Sequence, residues 1–465
     1  MEGERQVNAV LLPWLAQGHI NPFLNLSKAL ASHGAVKLWI VSTPVNISGI
    51  RARLQGEPIQ LIELKLPSVE GLAHGIERTA DIKPESAHLL HRAFDQLDKP
   101  FEDLLRHLSP DVVIHDLPAH CAATVSANLG IPTLVFDVYS PTASSFVRSH
   151  SMHATNHGTK TPQDLTQPVP GFPSPFISWR LFEAKASAGM FLPGPGGFKV
   201  TDFMSSAYQQ SSGILIKSCF QEEEKYLQYL RESTGKPVIS VGPLMLTDAE
   251  ADAGVEDYST LNWLDKQVIS SVVFVSFGSE SFLSAAQITE LAFALEDSGH
   301  PFLWSLRSSD GTSSLSLSLL PAGFESRTRD RGLVMGGWVP QISIVSHPSV
   351  GCYVTHGGWS SVMEAWLYSG LPLVLIPLRH DQGLNCRQIA LELNGGIEVV
   401  RDEEGGFSRE NVCKAIGMVM GKDERGAAIR SRVEELQGVI RLNNARQRAI
   451  TQDLVNYLRT LLVKK

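Results

Sequence analysis

The residues best suited to binding chemistry lie close together between positions 338 and 382. Gly357 and Gly358 allow a ligand to approach the backbone, and Ser360-Ser361 opens a predicted helix. The amino terminus of a helix has free N–H groups and a partial positive charge, and His356 adds an imidazole beside it. This arrangement predicts a binding site for a diphosphate.

The same residues allow a second interpretation that needs no ligand. Ser361 and Glu364 have the spacing of a capping box, in which two side chains bond to the first N–H groups of a helix. Both interpretations remain open from these residues alone.

Two further polar residues follow apolar segments in the first half of the chain. His19 lies in a predicted turn after the first apolar segment and is a candidate general base, although a lone histidine is more often structural. Asp116 follows the predicted strand 111–114, where an aspartate can also cap the next helix.

Short apolar segments alternate with amphipathic ones along most of the chain, which predicts parallel sheets covered by helices on both faces. The expected strands are 7–13, 36–42, 111–114, 132–136, 271–276, 302–306, 334–336 and 373–377. The expected helices run from Asn21-Pro22 to Gly34, over 121–129, 285–297 and 383–393, and from Ser361. Residues 150–200 and 308–318 predict loops or irregular helices.

The organisation of the chain predicts two similar domains. We expect an α/β domain over 1–245, an acidic linker over 246–260, a second α/β domain over 261–440 and a terminal helix over 441–465. Ligands of such sheets bind at the carboxyl ends of the strands, so we expect a site in a cleft between the two domains.

Composition excludes several classes of protein. The chain has 40 basic and 48 acidic residues, a formal charge of −8 and a pI near 6.0, which argues against binding to nucleic acid. Five single cysteines without C-x-x-C spacing predict reduced thiols. No apolar stretch approaches the ~18 residues that span a bilayer, and the first apolar segment lacks the basic flank of a signal peptide. We therefore expect a cytoplasmic protein without a membrane span.

Residues 338–382 closely resemble the signature box of plant family-1 UDP-glycosyltransferases. The resemblance also covers residues 17–22, 241–244, 263–267, 275–279 and 320–324. It implies the GT-B architecture, with two Rossmann-like domains and a terminal helix that crosses back to the first. It further implies a UDP-sugar donor, a small-molecule acceptor and no cofactor, and we expect a monomer.

The resemblance also assigns the donor site. Uracil and ribose would contact Trp338, Val339, Gln341, Glu364 and Ser305, with Trp338 stacked on the base and Glu364 on the ribose diol. The diphosphate would contact His356, Ser361, Ser279 and the backbone near Gly278, with Trp359 and Ser360 in the same site. The sugar hydroxyls would contact Asp381 and Gln382, and a terminal glutamine in this box is associated with glucose donors.

The resemblance makes His19 the general base and Asp116 the partner that fixes its tautomer. The chain contains no D-x-D pair, so a metal bridge to the diphosphate is not indicated. A single displacement from the face opposite UDP would invert the anomeric carbon and give a β-glucoside from an α-linked donor.

The box departs from the family in three ways. Ser360 stands where asparagine is usual, Gly357 stands where cysteine is common, and one extra residue falls within Ala365–Ser369. An inserted residue rotates a helix face by about 100°, so we expect it to be absorbed as a bulge or at the end of the helix.

Two other functions compete with this interpretation. A nicotinamide-dependent oxidoreductase needs G-x-G-x-x-G after a strand, and the sequence lacks it. A non-catalytic protein that binds UDP-sugars remains the alternative.

Residues 12–16 and 42–47 resemble branch-forming members of the family, which glycosylate an existing glycoside. Flavonoid or terpenoid glycosides, free flavonoids and other phenols therefore remain open as acceptors.

Overall fold

The computed structural model describes residues 5–83, 86–158, 160–193, 199–245, 259–278, 281–307, 319–336 and 339–462. These form two compact units. The first contains the described residues of Met1–Thr159, Met190–Met245 and Asn443–Lys465, and the second contains those of Lys160–Gly189 and Leu246–Leu442. Most of the predicted linker and all of the predicted loop 308–318 lie outside the described residues.

Strands and helices alternate in both units. The strands are β1 (Val7–Leu12), β2 (Val36–Ser42), β3 (Ile59–Glu63), β4 (Val112–Asp116), β5 (Thr133–Asp137), β6 (Gly213–Ile216), β7 (Val238–Ser240), β8 (Val272–Ser276), β9 (Phe302–Leu306), β10 (Gly332–Gly336), β11 (Val350–Thr355), β12 (Leu373–Leu375) and β13 (Gly396–Glu398). The helices are α1 (Gln17–His33), α2 (Pro44–Arg53), α3 (Ala87–Asp95), α4 (Asp98–Leu108), α5 (His120–Asn128), α6 (Pro141–His157), α7 (Leu181–Ser187), α8 (Val200–Gln210), α9 (Glu224–Thr234), α10 (Ser259–Leu264), α11 (Ala285–Ser298), α12 (Phe324–Thr328), α13 (Gln341–Val345), α14 (Trp359–Ser369), α15 (Gln382–Arg387), α16 (Arg409–Met420), α17 (Glu424–Ala445) and α18 (Gln447–Leu462). A π-helical turn, Gln388–Glu392, extends α15.

The first unit contains a seven-stranded sheet with the order β3-β2-β1-β4-β5-β6-β7, and its paired strands are parallel. The order reverses between β1 and β4, which is where ligands bind in sheets of this kind. Strands β4 and β5 are buried along their whole length. Helix α18 adds Leu454 and Leu458 to the same core.

The second unit contains a six-stranded parallel sheet with the order β10-β9-β8-β11-β12-β13. Its order reverses between β8 and β11, as in the first unit. Strands β8, β9 and β12 are fully buried, because helices cover both faces of a parallel sheet. The predicted fold class, two Rossmann-like α/β units, is therefore confirmed.

The start of α1 differs from the prediction. The helix begins at Gln17 after the N-cap Ala16, so Pro22 lies inside it rather than at its first turn. The amides of His19 and Ile20 already bond to the Ala16 carbonyl at 2.9 Å, upstream of the proline. His19 consequently belongs to the first turn of α1 and not to a turn that precedes it. The predicted end at Gly34, in the left-handed region at φ 75°, is confirmed.

The second unit absorbs the extra residue of the signature box at the end of a helix. Helix α14 runs without a bulge to Ser369 and ends at Gly370, which has φ 59°. The amide of Leu371 then bonds to the Ala365 carbonyl at 3.2 Å, and that of Gly370 bonds to the Trp366 carbonyl at 3.1 Å. The Gly370 bond is that of an αL cap, and the Leu371 bond reaches six residues back, so the irregularity lies at the end of α14 and leaves its first turn undisturbed.

Segment Lys160–Gly189 packs within the second unit, although the predicted boundary placed it in the first. The physical reason is polar as well as apolar, because Arg387 donates to the Ser178 carbonyl at 2.7 Å and pairs with Glu183. In the described part of the chain, no helix is both long and apolar enough to cross a bilayer.

Candidate active site

In the first unit, His19 and Asp116 meet at the carboxyl edge of the sheet. The Nδ1 atom of His19 lies 2.9 Å from Oδ2 of Asp116, and the two side chains are 14% and 0% exposed. The same Oδ2 accepts the Trp14 amide at 3.1 Å, while Oδ1 accepts the Leu117 amide at 2.8 Å. The carboxylate is therefore fixed by backbone donors and can hold the imidazole with Nδ1 protonated and Nε2 able to accept a proton.

Tyr139 is a neighbour of this pair that the sequence analysis missed. Its hydroxyl lies 3.5 Å from Nε2 of His19, and the two rings pack edge to face with centroids 5.4 Å apart. The Tyr139 amide donates to Asp137 at 3.1 Å, and burial raises the pKa of Asp137 to about 6. The position of Tyr139, two residues after β5 at the same sheet edge, was the signal that could have identified it.

His115 directs its ring away from this pair. Its Nε2 lies 3.1 Å from the Ser211 hydroxyl, and its Nδ1 lies 2.9 Å from the Asp116 carbonyl. This agrees with the opposite directions that adjacent residues of a strand take.

In the second unit, His356 follows β11 and contacts the loop that precedes α14. A Cβ atom on Gly278 would lie 2.9 Å from the His356 ring, and one on Gly358 would lie 2.5 Å from its Nε2. Gly278 also has φ 74°, which strongly favours glycine. Burial and, to a smaller extent, the charge of Arg379 lower the pKa of His356 to about 4. The imidazole is therefore neutral at pH 7.

The start of helix α14 has the features of a phosphate-binding site. Its N-cap is Gly358, with no side-chain cap, and its first turn contains Trp359, Ser360 and Ser361. The prediction of a capping box between Ser361 and Glu364 is wrong, because the helix starts two residues before Ser361. Gly357 has φ 80°, and a Cβ atom there would overlap the sulfur of Cys386. That sulfur fills the space that a side chain at position 357 would need.

Glu364 contacts Gln341 instead of its own helix terminus. The Gln341 amide donates to Glu364 Oε2 at 2.7 Å, and the hydroxyl of buried Tyr353 donates to Gln341 Oε1 at 3.5 Å. Val339 is also buried, two residues before α13 begins. Gln341 and Glu364, which were predicted to bind the base and the ribose, thus form one hydrogen-bonded network. Trp338 lies outside the described residues.

Asp381 and Gln382 occupy the start of α15. Gln382 accepts the amides of Leu378 and Arg379 at 2.9 and 3.0 Å, and its own amide group donates to the Ser281 hydroxyl at 3.3 Å. Asn385 donates to Asp381 at 2.7 Å and to the Gly357 carbonyl at 3.1 Å. The turn predicted to bind the sugar is therefore connected to the loop predicted to bind the diphosphate.

A cavity at the ends of β8 and β9 contains further predicted residues. Gly278, Ser281, Ser305 and Arg307 line it together with the surrounding apolar side chains. Burial lowers the pKa of the half-buried Arg307 guanidinium, which the sequence analysis did not consider. Ser279 lies outside the described residues. Within the described ranges, no group of three His, Cys, Asp or Glu side chains could hold a metal ion.

Two doubly wound parallel units, each with polar groups at its own switch point, define the GT-B class of glycosyltransferases. Residues 254–432 match the family model for UDP-glucoronosyl and UDP-glucosyl transferase, and residues 5–188 match that for the glycosyltransferase N-terminal domain.

Relatives of known name extend this similarity over nearly the whole chain. An anthocyanidin-3-O-glucoside rhamnosyltransferase of Petunia hybrida is 34% identical over 97% of this chain and 95% of its own length. UDP-glycosyltransferase 79A6 of Glycine max is 36% identical over 98% of both chains.

A solved structure is similar over the same extent. The crystal structure of Glycyrrhiza uralensis UGT73P12, complexed with glycyrrhetinic acid 3-O-monoglucuronide, has 27% identity and a TM-score of 0.82, covering 99% of this chain and 97% of that one. The chain belongs to the plant family-1 UDP-glycosyltransferases, enzymes that use a UDP-sugar donor and a small-molecule acceptor.

Proposed function

We propose that this enzyme transfers glucose from UDP-glucose to a hydroxyl of a small-molecule acceptor with inversion, His19 acting as general base and Asp116 as its partner. The observation that carries the proposal is the 2.9 Å contact between His19 Nδ1 and Asp116 Oδ2, which leaves Nε2, 3.5 Å from the Tyr139 hydroxyl, as the nitrogen that can accept a proton. General-base catalysis of this kind contributes about 10²- to 10⁴-fold in rate.

The bonds change in one step. The acceptor hydroxyl gives its proton to His19 Nε2 while its oxygen attacks the anomeric carbon, and the bond from that carbon to the UDP oxygen breaks with its electron pair leaving on UDP. Asp116 stabilises the imidazolium that this proton transfer forms. No group of the enzyme bonds covalently to the sugar, so an α-linked donor gives a β-linked product.

The second unit supplies the donor contacts. The first-turn amides of α14, the hydroxyl of Ser361 and the neutral imidazole of His356 would donate to the diphosphate without a metal ion. A neutral histidine can donate one hydrogen bond without the penalty of a buried charge. The network of Gln341 and Glu364 would bind the uridine, because a carboxylate can accept from both ribose hydroxyls.

Glucose is the proposed sugar because the signature box ends in Gln382. Its oxygen is occupied by two backbone amides, so only its amide group is directed to hydroxyl partners such as Ser281. The Petunia hybrida relative is named a rhamnosyltransferase, so a donor competition is needed. UDP-glucose should be used at least ten-fold better than UDP-rhamnose, and the reverse preference would overturn this part of the proposal.

A glycoside is the favoured acceptor. The Petunia hybrida relative is named for an anthocyanidin 3-O-glucoside, and the Glycyrrhiza uralensis structure holds a monoglucuronide. These names add to the resemblance of residues 12–16 and 42–47 to branch-forming members. We therefore propose flavonoid or terpenoid glycosides as acceptors in preference to the free aglycones.

The test is transfer of glucose to a panel of paired aglycones and 3-O-glucosides, followed by mass spectrometry and by NMR of the new anomeric proton. We expect a β-linked disaccharide on the glucosides, with a rate that a chelator leaves unchanged. An α-linked product, or loss of activity with the chelator, would contradict the mechanism. UDP binding without turnover on any acceptor would favour the non-catalytic alternative.

A further inference from the structure

Segment Ser174–Ser187 contacts the helix that follows the predicted sugar-binding turn, although about two hundred residues separate them. Ser174 donates to Glu392 at 2.6 Å, and the Nε of Arg387 donates to the Ser178 carbonyl at 2.7 Å. Both contacts lie within the second unit. This part of the chain therefore packs against α15 and its π-helical extension.

A buried network of charges joins the segment to α15. Arg387 pairs with Glu183 and also donates to Glu398 at 2.8 Å, and the three side chains are only 7%, 9% and 7% exposed. Arg180 approaches Glu398 at 3.2 Å, and the Arg180 amide donates to Glu183 at 2.8 Å. Burial lowers the pKa of Arg387 to about 10, which leaves it charged at pH 7. A buried pair of this kind holds its partners in a defined geometry, because either charge alone would be strongly disfavoured.

Glu183 also touches the sugar-binding turn directly. A Cβ atom on Gly383 would overlap the Glu183 carboxylate, so this carboxylate lies against the backbone of the residue that follows Gln382. Arg387, at the other end of the same helix, is fixed by the charge pair. Glu183 thus contacts helix α15 at two positions, its second residue Gly383 and its last residue Arg387.

We propose that Glu183 is a positioning residue for the donor sugar, acting through Gly383 and Arg387 to fix the orientation of Asp381 and Gln382. The inference rests on the proposed function, since it assumes that these two residues bind the sugar hydroxyls. In this role Glu183 acts on helix α15 and not on the sugar itself. Its effect follows from geometry, because a displacement of about 1 Å at a reacting group can lower the rate by about a hundred-fold.

The experiment compares UDP with UDP-glucose in the variant Glu183→Gln, which keeps the shape of the side chain and removes its charge. We expect the UDP affinity, measured by calorimetry, to stay within about two-fold of the wild type. The KM for UDP-glucose should rise and kcat should fall, each by about ten-fold, because only the sugar is misplaced. Equal weakening of UDP and UDP-glucose would overturn the inference, since it would indicate a general structural role.

A second variant keeps the proposal testable if Glu183→Gln does not fold. Gly383→Ala adds a methyl group against the Glu183 carboxylate and leaves every charge in place. We expect Gly383→Ala to lower the use of UDP-glucose while UDP affinity is retained. Its penalty should be smaller in the Glu183→Ala background, where only the Arg387 guanidinium still lies against the added methyl group. Additive penalties would show that the contact does not couple the two positions and would contradict the proposal.

Two controls separate this inference from the proposed function. Glu296→Gln breaks a charge pair with Arg327 in the same unit, far from α15 in the chain, and should leave all three parameters unchanged. Gln382→Ala should itself raise the KM for UDP-glucose without weakening UDP. If Gln382→Ala has no such effect, the proposed role of the turn fails. If it has the effect and neither Glu183→Gln nor Gly383→Ala does, the positioning role of Glu183 fails.

Discussion

His19 and His356 lie at the switch points of two sheets of similar topology, one on each side of the point where the strand order reverses. His19 follows β1 and meets Asp116 at the end of β4, where the order of the first sheet reverses. His356 follows β11 and lies against Gly278, which follows β8, where the order of the second sheet reverses. Both imidazoles therefore stand at the carboxyl edge where α/β sheets bind ligands.

Their surroundings differ in charge. His19 is partly exposed and has a carboxylate 2.9 Å from Nδ1, so an imidazolium there is stabilised when it forms. His356 is buried, and Arg379 adds to the effect of burial in lowering its pKa to about 4. The comparison teaches that a similar place in a similar sheet can hold a group suited to accept a proton or one that stays neutral and donates a hydrogen bond.

The largest expected effect is that of His19→Ala. The account predicts a fall in kcat of about 10²- to 10⁴-fold, because the acceptor hydroxyl loses its base. The affinity for UDP, measured by calorimetry, should not change, since His356 and the first turn of α14 remain intact. If the affinity for UDP fell together with kcat, His19 would share the donor-binding role proposed for His356, and the comparison would fail.

Asp116→Asn should have the next largest effect. An amide can bond to Nδ1 of His19 only with the wrong tautomer or without stabilising the imidazolium, so kcat should fall by about 10²- to 10³-fold. Thermal denaturation would check that the bonds from Trp14 and Leu117 still support the fold. Unchanged kcat in a folded variant would remove Asp116 from the mechanism.

The buried state of His356 predicts a dependence of stability on pH. Its pKa is about 4 in the folded protein and about 6.5 when unfolded, so the unfolded state binds the proton first as the pH falls. Stability is therefore lost as the pH drops from about 6.5 to about 4, by about 3 kcal/mol in total. Denaturant unfolding of wild type and His356→Gln at several pH values isolates this contribution, because the loss should be absent from the variant.

Asp137, in the region around His19, changes stability in the opposite direction as the pH falls. Burial raises the pKa of Asp137 to about 6, so the folded state binds this proton more tightly and gains stability as the pH falls towards about 4. Asp137 is present in both proteins and its contribution cancels in the difference. A difference between wild type and His356→Gln that does not depend on pH would contradict the neutral state of His356.

The smallest expected effect is on UDP affinity. His356→Ala removes one hydrogen-bond donor to a charged phosphate, which should weaken UDP by about ten-fold. The loss of kcat at saturating donor should be much smaller than in His19→Ala. A titration by calorimetry measures the first quantity, and unchanged UDP affinity would show that His356 does not contact the diphosphate.

The fold could be predicted well because it follows from local pattern. The apolar segments at 36–42 and 302–306 were placed to the residue, and the glycine at position 34 marked the end of α1. The start of α1 was wrong because Pro22 is typical of a first helical turn, whereas the chain enters the helix at Gln17.

The sequence proposes the residues of the candidate site but not the contacts between them. The resemblance points to His19, Asp116 and the signature box, while spacing alone also allowed a capping box at Ser361, where the helix does not begin. The bond between Gln341 and Glu364 and the approach of Tyr139 to His19 each depend on how separate segments pack. The association of Lys160–Gly189 with the second unit also depends on how separate segments pack. It rests on a charge pair between residues about two hundred positions apart.

The central claim is that His19 deprotonates the acceptor, and rates on a series of phenols test it most directly. Wild type and His19→Ala would be compared on acceptors whose hydroxyl pKa ranges from about 10, as in tyrosine, to below the assay pH. The account predicts that the variant loses about 10²- to 10⁴-fold on the least acidic phenols and approaches the wild type on those already ionised. An equal loss on every phenol would contradict a role for His19 as the base.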